Sequence, residues 1–149
     1  MDTVQGGLPA LQAAWAAGFV DGEGSIGVYN SHNTLSLHLN VGQVDPRPLE
    51  KLCAIFGGHY RLNRSRSAKG PIYDWKLHGK AAASALQAML PYLTTKLEQA
   101  ELAIEFQGLQ QTSFARVPVP EAVAERKRWI ADELKRLKKE PTLKIGRVT

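Results

Sequence analysis

The chain is organised around Pro9-Ala10-Leu11-Gln12-Ala13-Ala14-Trp15-Ala16-Ala17-Gly18-Phe19-Val20-Asp21-Gly22-Glu23-Gly24. Proline suits the first turn of a helix, where its missing N–H has no intrahelical partner and its fixed φ already fits. The stretch therefore predicts a helix from about Pro9 to Val20. A period of about 3.6 residues divides it into two stripes. Leu11, Trp15 and Phe19 form a bulky apolar stripe able to fill a core, whereas Ala10, Ala13, Ala14, Ala17, Gly18 and Asp21 fall on another side. A face of Ala and Gly admits a second backbone closer than the roughly 8–10 Å usual between helices. That neighbour is either the chain's own domain or a second helix of the same kind. Gly22 and Gly24 bracket Glu23, predicting a sharp turn that presents a carboxylate beside exposed main-chain carbonyls, a setting suited to a hard cation.

The sequence has 149 residues, 44% of them hydrophobic and 22% charged. That suits one globular domain with a real core and is too short for two ordinary ones. The formal net charge of +5 and a pI near 9.5 favour a polyanionic partner, of which nucleic acid is the commonest. Cys53 is the only cysteine and the four histidines are scattered, so neither a disulfide framework nor a zinc-ligand spacing is present. The apolar run before Asp21 lacks a basic leader and is too short to span a bilayer. A cytoplasmic or organelle-matrix protein with no membrane association is expected.

Beyond the motif, Ser25 to Asn30 reads as a strand, Ser31-His32-Asn33 as a turn, and Thr34 to Gly42 as a second strand with strict period-2 alternation. Ile26, Val28, Leu35, Leu37, Leu39 and Val41 point inward; Gly27, Tyr29, Ser31, Thr34, Ser36, His38 and Asn40 point outward. Such a polar face is either solvated or suited to base edges in a major groove, which admits a two-stranded ribbon. Asp45 is a candidate N-cap with Pro46 at the first helical position, and Leu49, Leu52, Cys53 and Phe56 line a helix ended by Gly57-Gly58. A second hairpin runs from Tyr60 to about Ser65 and from Ile72 to Leu77, with a basic tip over 66–71. Tyr60, Leu62, Tyr73, Trp75 and Leu77 are expected inward, and Arg61, Asn63, Ile72, Asp74 and Lys76 outward. Lys80 to about Met89 forms a helix, Thr94 or Thr95 caps another, and Glu121 to about Lys139 makes a last one. Its basic residues are explained equally by solvation and by phosphate contact.

Ala16 to Gly24 resembles the signature of the LAGLIDADG homing endonucleases over its nine positions. Ala16 stands for the leading Leu, Phe19 and Val20 for the Leu-Ile pair, Gly22 for the second Ala and Glu23 for the second Asp. The strand Ser25-Ile26-Gly27-Val28-Tyr29 follows where that family has one, and the order helix, two strands, helix, two strands, helices matches its αββαββα core. The resemblance implies an α+β fold with a saddle-shaped antiparallel sheet. It covers about residues 8–110 of a single 1–149 domain, followed by a C-terminal helical extension over about 119–140.

It also implies function. A homodimeric, single-motif enzyme would cut a long, nearly palindromic DNA duplex across the minor groove with Mg²⁺, leaving short 3′ overhangs. Mn²⁺ would substitute and Ca²⁺ would support binding only. By resemblance Glu23 and the Gly22 carbonyl hold metal, Gln43 orders water, Arg47 lies near the scissile phosphate, and Lys96 helps activate water or offsets transition-state charge. The motif helices would meet along Ala10, Ala13, Ala14, Ala17, Gly18 and Asp21, bringing two Glu23 carboxylates together around bound cations. Double-stranded DNA would lie along Tyr29, Ser31, Thr34, Ser36, His38, Asn40, Arg61, Asn63, Arg64, Arg66, Lys69, Asp74 and Lys76. The alternative is a member of the fold that binds nucleic acid without cutting, such as an intron RNA maturase.

Overall fold

A computed structural model describes residues 9–64, 70–110 and 118–139. Helix α1 (Ala10–Glu23) leads into a hairpin of β1 (Gly24–Ser31) and β2 (Thr34–Gln43). Helix α2 (Arg47–Phe56) is followed by β3 (His59–Asn63) and β4 (Ile72–His78), and three helices complete the chain: α3 (Gly79–Met89), α4 (Leu97–Leu109) and α5 (Glu121–Lys139). Arg66 and Lys69, expected at the basic tip, and the tail beyond 139 lie outside the described residues. Among those described, no helix is long and apolar enough to cross a membrane.

The strands form one antiparallel sheet in the order β1-β2-β4-β3. The first hairpin turns on His32 and Asn33 at φ +52° and +62°, the two successive left-handed residues that match the twist of a tight hairpin. Inward residues pair across the sheet as expected: Ile26 with Leu39, Val28 with Leu37, Val41 with Trp75, and Tyr60 with Trp75. Leu37, Leu39, Val41 and Trp75 are fully buried under helices that cover this face alone. Trp75 Nε1 donates to the Gly57 carbonyl at 3.0 Å, tying β4 to the end of α2. Gly57 and Gly58, at φ +86° and +80°, supply the left-handed turn predicted there.

Three expectations about the motif helix change. It runs one turn further than predicted, to Glu23, so Gly22 is helical and no turn precedes the acid. Gly24 is required for space: a Cβ there would sit 2.8 Å from both the Val20 carbonyl oxygen and Val20 Cγ1. The bulky stripe does not fill the core. Leu11 is 86% exposed, while Ala13, Ala16, Ala17 and Val20 are fully buried, because the rest of the domain comes close enough to need small side chains there. Trp15 and Phe19 stack at 5.4 Å on the flank, where the Lys51 ammonium lies 4.1 Å from the Trp15 ring.

Candidate active site and nucleic-acid interface

The centre of the site is the junction of α1 with the start of α4. Asp21 Oδ2 accepts the Thr94 main-chain N–H at 2.8 Å, and Oδ1 accepts that of Lys96 at 3.0 Å. The Thr95 hydroxyl donates to the Asp21 carbonyl and to Oδ1, each at 3.2 Å. Neither Thr94 nor Thr95 caps α4 with its own side chain; Lys96 occupies the N-cap position, and its main-chain N–H, one of the donors a helix start leaves without an intrahelical partner, is taken together with that of Thr94 by a carboxylate from another helix. Asp21 thus closes the end of α1 onto the start of α4 within its own protomer.

Lys96 Nζ donates to the Asp21 carbonyl at 2.8 Å. Burial holds its ammonium below the ordinary lysine range, opposed by the charges of Asp21 and Glu23 and assisted by Lys138. Glu23, two residues on, is exposed, at the negative end of the α1 dipole.

Gln43 and Arg47 reach the same end of the sheet. Gly24 pairs with Val41, so Gln43, two residues further, lies beside the end of α1, half-buried. Arg47 opens α2 and is fixed by Asp45. Its main-chain N–H donates to Oδ1 at 2.9 Å, Nε to both carboxylate oxygens at 3.1 and 3.0 Å, and Nη2 to Oδ2 at 2.6 Å. Those bonds hold the Asp45 carboxyl down at about 2, although the guanidinium is 84% exposed. The N-cap position of α2 itself falls on Pro46, one residue later than predicted.

A divalent cation is what the motif resemblance implies for Glu23. An exposed carboxylate at a helix end suits a hard, oxygen-seeking ion. Among the described residues of one chain, however, no group of three or more His, Cys, Asp or Glu converges to hold a metal.

Among the described residues, no helix lies on the outer face of the sheet. Reading across it by register, Tyr29 is level with Ser36; Gly27, His38 and His78 form the next row; Ser25, Asn40, Lys76 and His59 the next; then Gly42, Asp74 and Arg61; and finally Ile72 with Asn63. Ser31 and Thr34 close the hairpin end, both exposed. A groove of about 980 Å³ follows β3 and β4, with Arg61, Asn63, Arg64, Lys76 and His78 in its lining. Tyr29 and His78 each meet the His38 ring edge-on, at 5.2 and 4.4 Å. Desolvation, then His78 and Lys76, depress the His38 pKa, so it favours the neutral ring, which both donates and accepts.

One nominated residue does not fit. Asp74 is on the expected face but only 4% exposed, and its carboxylate accepts Asn63 Nδ2 at 3.0 Å. It joins β4 to β3 instead of offering an acceptor to a base. Besides Ser25, two side chains not nominated for this face lie on it, His59 and His78. Both follow from alternation once β3 is extended back to His59 and β4 on to His78.

The outward face of α1 also differs from expectation. Ala13 and Ala17 are fully buried in their own protomer and are not available to a second copy. The stripe left exposed runs through Leu11, Gly18 and Gly22, with the half-buried Ala10 and Ala14 at its margin.

An α1-ββαββ order, a four-stranded antiparallel sheet covered on one face only, and an acid at the end of the motif helix together define the LAGLIDADG homing endonuclease fold, and this chain has it. I-CvuI, solved on a DNA target with Mg²⁺ present and the DNA not cleaved, is similar with a TM-score of 0.68 and 22% identity, over 93% of this chain and 97% of that one. The archaeal intron-encoded homing endonuclease I-Vdi141I, solved with DNA, is similar with a TM-score of 0.69 and 15% identity, over 85% and 83% of the two chains. The LAGLIDADG meganuclease I-AabMI, bound to uncleaved DNA, gives 0.52 and 16%, over 65% of this chain and 36% of that longer one. No protein-family model matches the sequence, and no curated protein matches it.

Proposed function

We propose that the protein is a site-specific double-strand DNA endonuclease of the homing type, acting as a homodimer. The observation that carries this reading is convergence. Glu23, Gln43, Arg47 and Lys96, the four positions drawn from motif resemblance, all lie at one end of a sheet whose uncovered face is polar and basic. The solved structures of the same fold, which hold DNA, point the same way.

The dimer is supported by the glycines of α1. A Cβ at Gly18 or Gly22 would meet nothing within 4 Å, yet each glycine in a helix interior costs about 1 kcal/mol against alanine. Nothing among the described residues of the protomer explains that cost. Close approach of a second α1 backbone does, along Leu11, Ala14, Gly18 and Gly22. Two Glu23 carboxylates then face one another, supplying the ligands that one chain lacks.

Bound Mg²⁺ would polarise the scissile phosphate and lower the pKa of an attacking water; Mn²⁺ is expected to replace it and Ca²⁺ to support binding alone. The chain's own groups do the rest. Lys96, desolvated and anchored at the Asp21 carbonyl, exchanges a proton more readily than a free lysine. Arg47 presents its remaining guanidinium N–H groups to phosphate oxygen, and Gln43 orients water. Outer-face side chains read bases in the major groove, and a symmetric pair reads a long, nearly palindromic site, cut on both strands with short 3′ overhangs.

The test is selection of bound sequences from a randomised duplex library in Ca²⁺, followed by addition of Mg²⁺ and mapping of the ends. Near-symmetric sites cut on both strands, with cutting lost in Glu23→Gln, would support the reading. Sites bound but left intact would remove the nuclease and favour a non-cutting nucleic-acid binder such as a maturase.

A further inference from the structure

The basic run of α5 is not used by the mechanism above. Most of it is engaged within the protein. Arg126 is paired with Glu105 at 2.6 and 2.9 Å, Arg128 with Glu121 at 2.9 Å, and Arg136 with Glu133 through two bonds of 2.7 Å. The Lys127 ammonium lies 5.7 Å from the Phe106 ring centroid.

Lys138, in the last turn of α5, differs. Its Nζ donates to the Tyr29 hydroxyl at 2.7 Å and stands 5.2 Å from the centroid of that ring. Tyr29 belongs to the outer face of β1, the edge strand of the sheet. It reaches this position by folding back along its own strand over Gly27, where a Cβ would lie 2.6 Å from the Tyr29 hydroxyl oxygen. Glycine at 27 thus makes room for the ring, and the ring holds the lysine. A neutral hydroxyl positions an ammonium without neutralising it, unlike the carboxylates that engage the three arginines.

We infer that Lys138, positioned by Tyr29 at the β1 edge of the outer face, contacts a backbone phosphate of the bound duplex. The inference rests on reading the outer face as the duplex-binding surface. The role of α5 is then partly electrostatic: it delivers one unneutralised cation around the sheet edge.

The test measures binding of a mixed-sequence duplex in Ca²⁺ as a function of salt, for wild type, Lys138→Ala, Tyr29→Phe and the double variant, with thermal midpoints recorded alongside. Each phosphate contact contributes about one unit to the logarithmic salt slope, or about 3.5-fold in affinity between about 50 and 200 mM. Lys138→Ala should flatten the slope by about one unit per protomer at an unchanged midpoint. Tyr29→Phe should weaken binding by less, and the double variant should match Lys138→Ala. A wild-type slope in Lys138→Ala, with or without a lowered midpoint, would overturn the contact and leave Lys138 as a docking residue of α5. Wild-type binding by Tyr29→Phe would overturn the positioning. Absence of Mg²⁺-dependent cutting would sink the nuclease reading alone, because these measurements need no cleavage; failure of the wild type to bind would sink the duplex-binding surface itself.

Discussion

Asp21 and Lys96, seventy-five residues apart in sequence, are joined twice: the Asp21 carboxylate takes the Lys96 main-chain N–H at 3.0 Å, and the Asp21 carbonyl takes its ammonium at 2.8 Å. One residue thereby caps α4 and sets the direction of the site's lysine. Asp21→Ala should cost about 1–3 kcal/mol, the range for losing a cap and leaving its donors unpaired. Urea denaturation will measure the loss. Cutting should fall by more than that loss explains, since Lys96 also loses its anchor.

Glu23 is exposed and carries no hydrogen bond or ion pair within the described protomer. Glu23→Gln should therefore change metal-free stability by no more than about 0.5 kcal/mol. Saturating Mg²⁺ with duplex should raise the thermal midpoint of the wild type and not that of the variant, because a ligand stabilises only the state that binds it. Equal shifts in both proteins would place the metal elsewhere.

The Asp45–Arg47 pair gives a pH prediction with a definite sign. The folded-state carboxyl pKa of about 2 lies below the ordinary 3.8. Its contribution is therefore present above 3.8 and is lost as pH falls through about 2. An NMR titration of the Asp45 carboxyl carbon should find its midpoint near 2, and Arg47→Ala should return it toward 3.8. At any pH near neutrality Arg47 stays tethered, so the tether should leave no inflection in the cutting profile.

Gly18→Ala separates monomer from dimer. Nothing lies within 4 Å of the added methyl in the protomer, so helix propensity predicts a gain of up to about 1 kcal/mol in the dilute protein. Sedimentation should show weaker association at the same time. A gain in stability with unchanged association would remove the α1 stripe as the dimer contact.

Much of the fold was legible in the sequence because the sheet has one covered face. Alternation from Thr34 to Val41 decided which side of β2 is buried, whereas the five residues of β3 left a one-residue slip open that only pairing with β4 resolves. What escaped was whatever depends on distance. The size of Leu11, Trp15 and Phe19 suggested a core stripe, but the close approach of the domain to α1 gave the core to Ala13, Ala16 and Ala17. Gly22 and Gly24 read as a turn, whereas Gly24 is demanded by contact with Val20. The candidate site positions Glu23, Gln43, Arg47 and Lys96 came from motif resemblance; the structure joins Lys96 to Asp21, two residues before Glu23, and ties Arg47 to Asp45. The cap on α4 was illegible because its donors and acceptor lie seventy-three to seventy-five residues apart. Asp74 was misread because alternation assigns a side chain to a face and says nothing of the Asn63 amide that meets it there.

Glu23 ends α1 and Gly24 begins β1, with no intervening loop. The acid and the sheet therefore move as one rigid lever. The Gly24 N–H donates to the Val20 carbonyl and ties the joint to the last turn of the helix. A duplex seated out of register on the outer face would tilt that lever and carry Glu23 away from the phosphate. Discrimination between sites would then be felt in the rate of cutting more steeply than in the strength of binding, and a loop inserted at this joint should blunt fidelity before it blunts affinity.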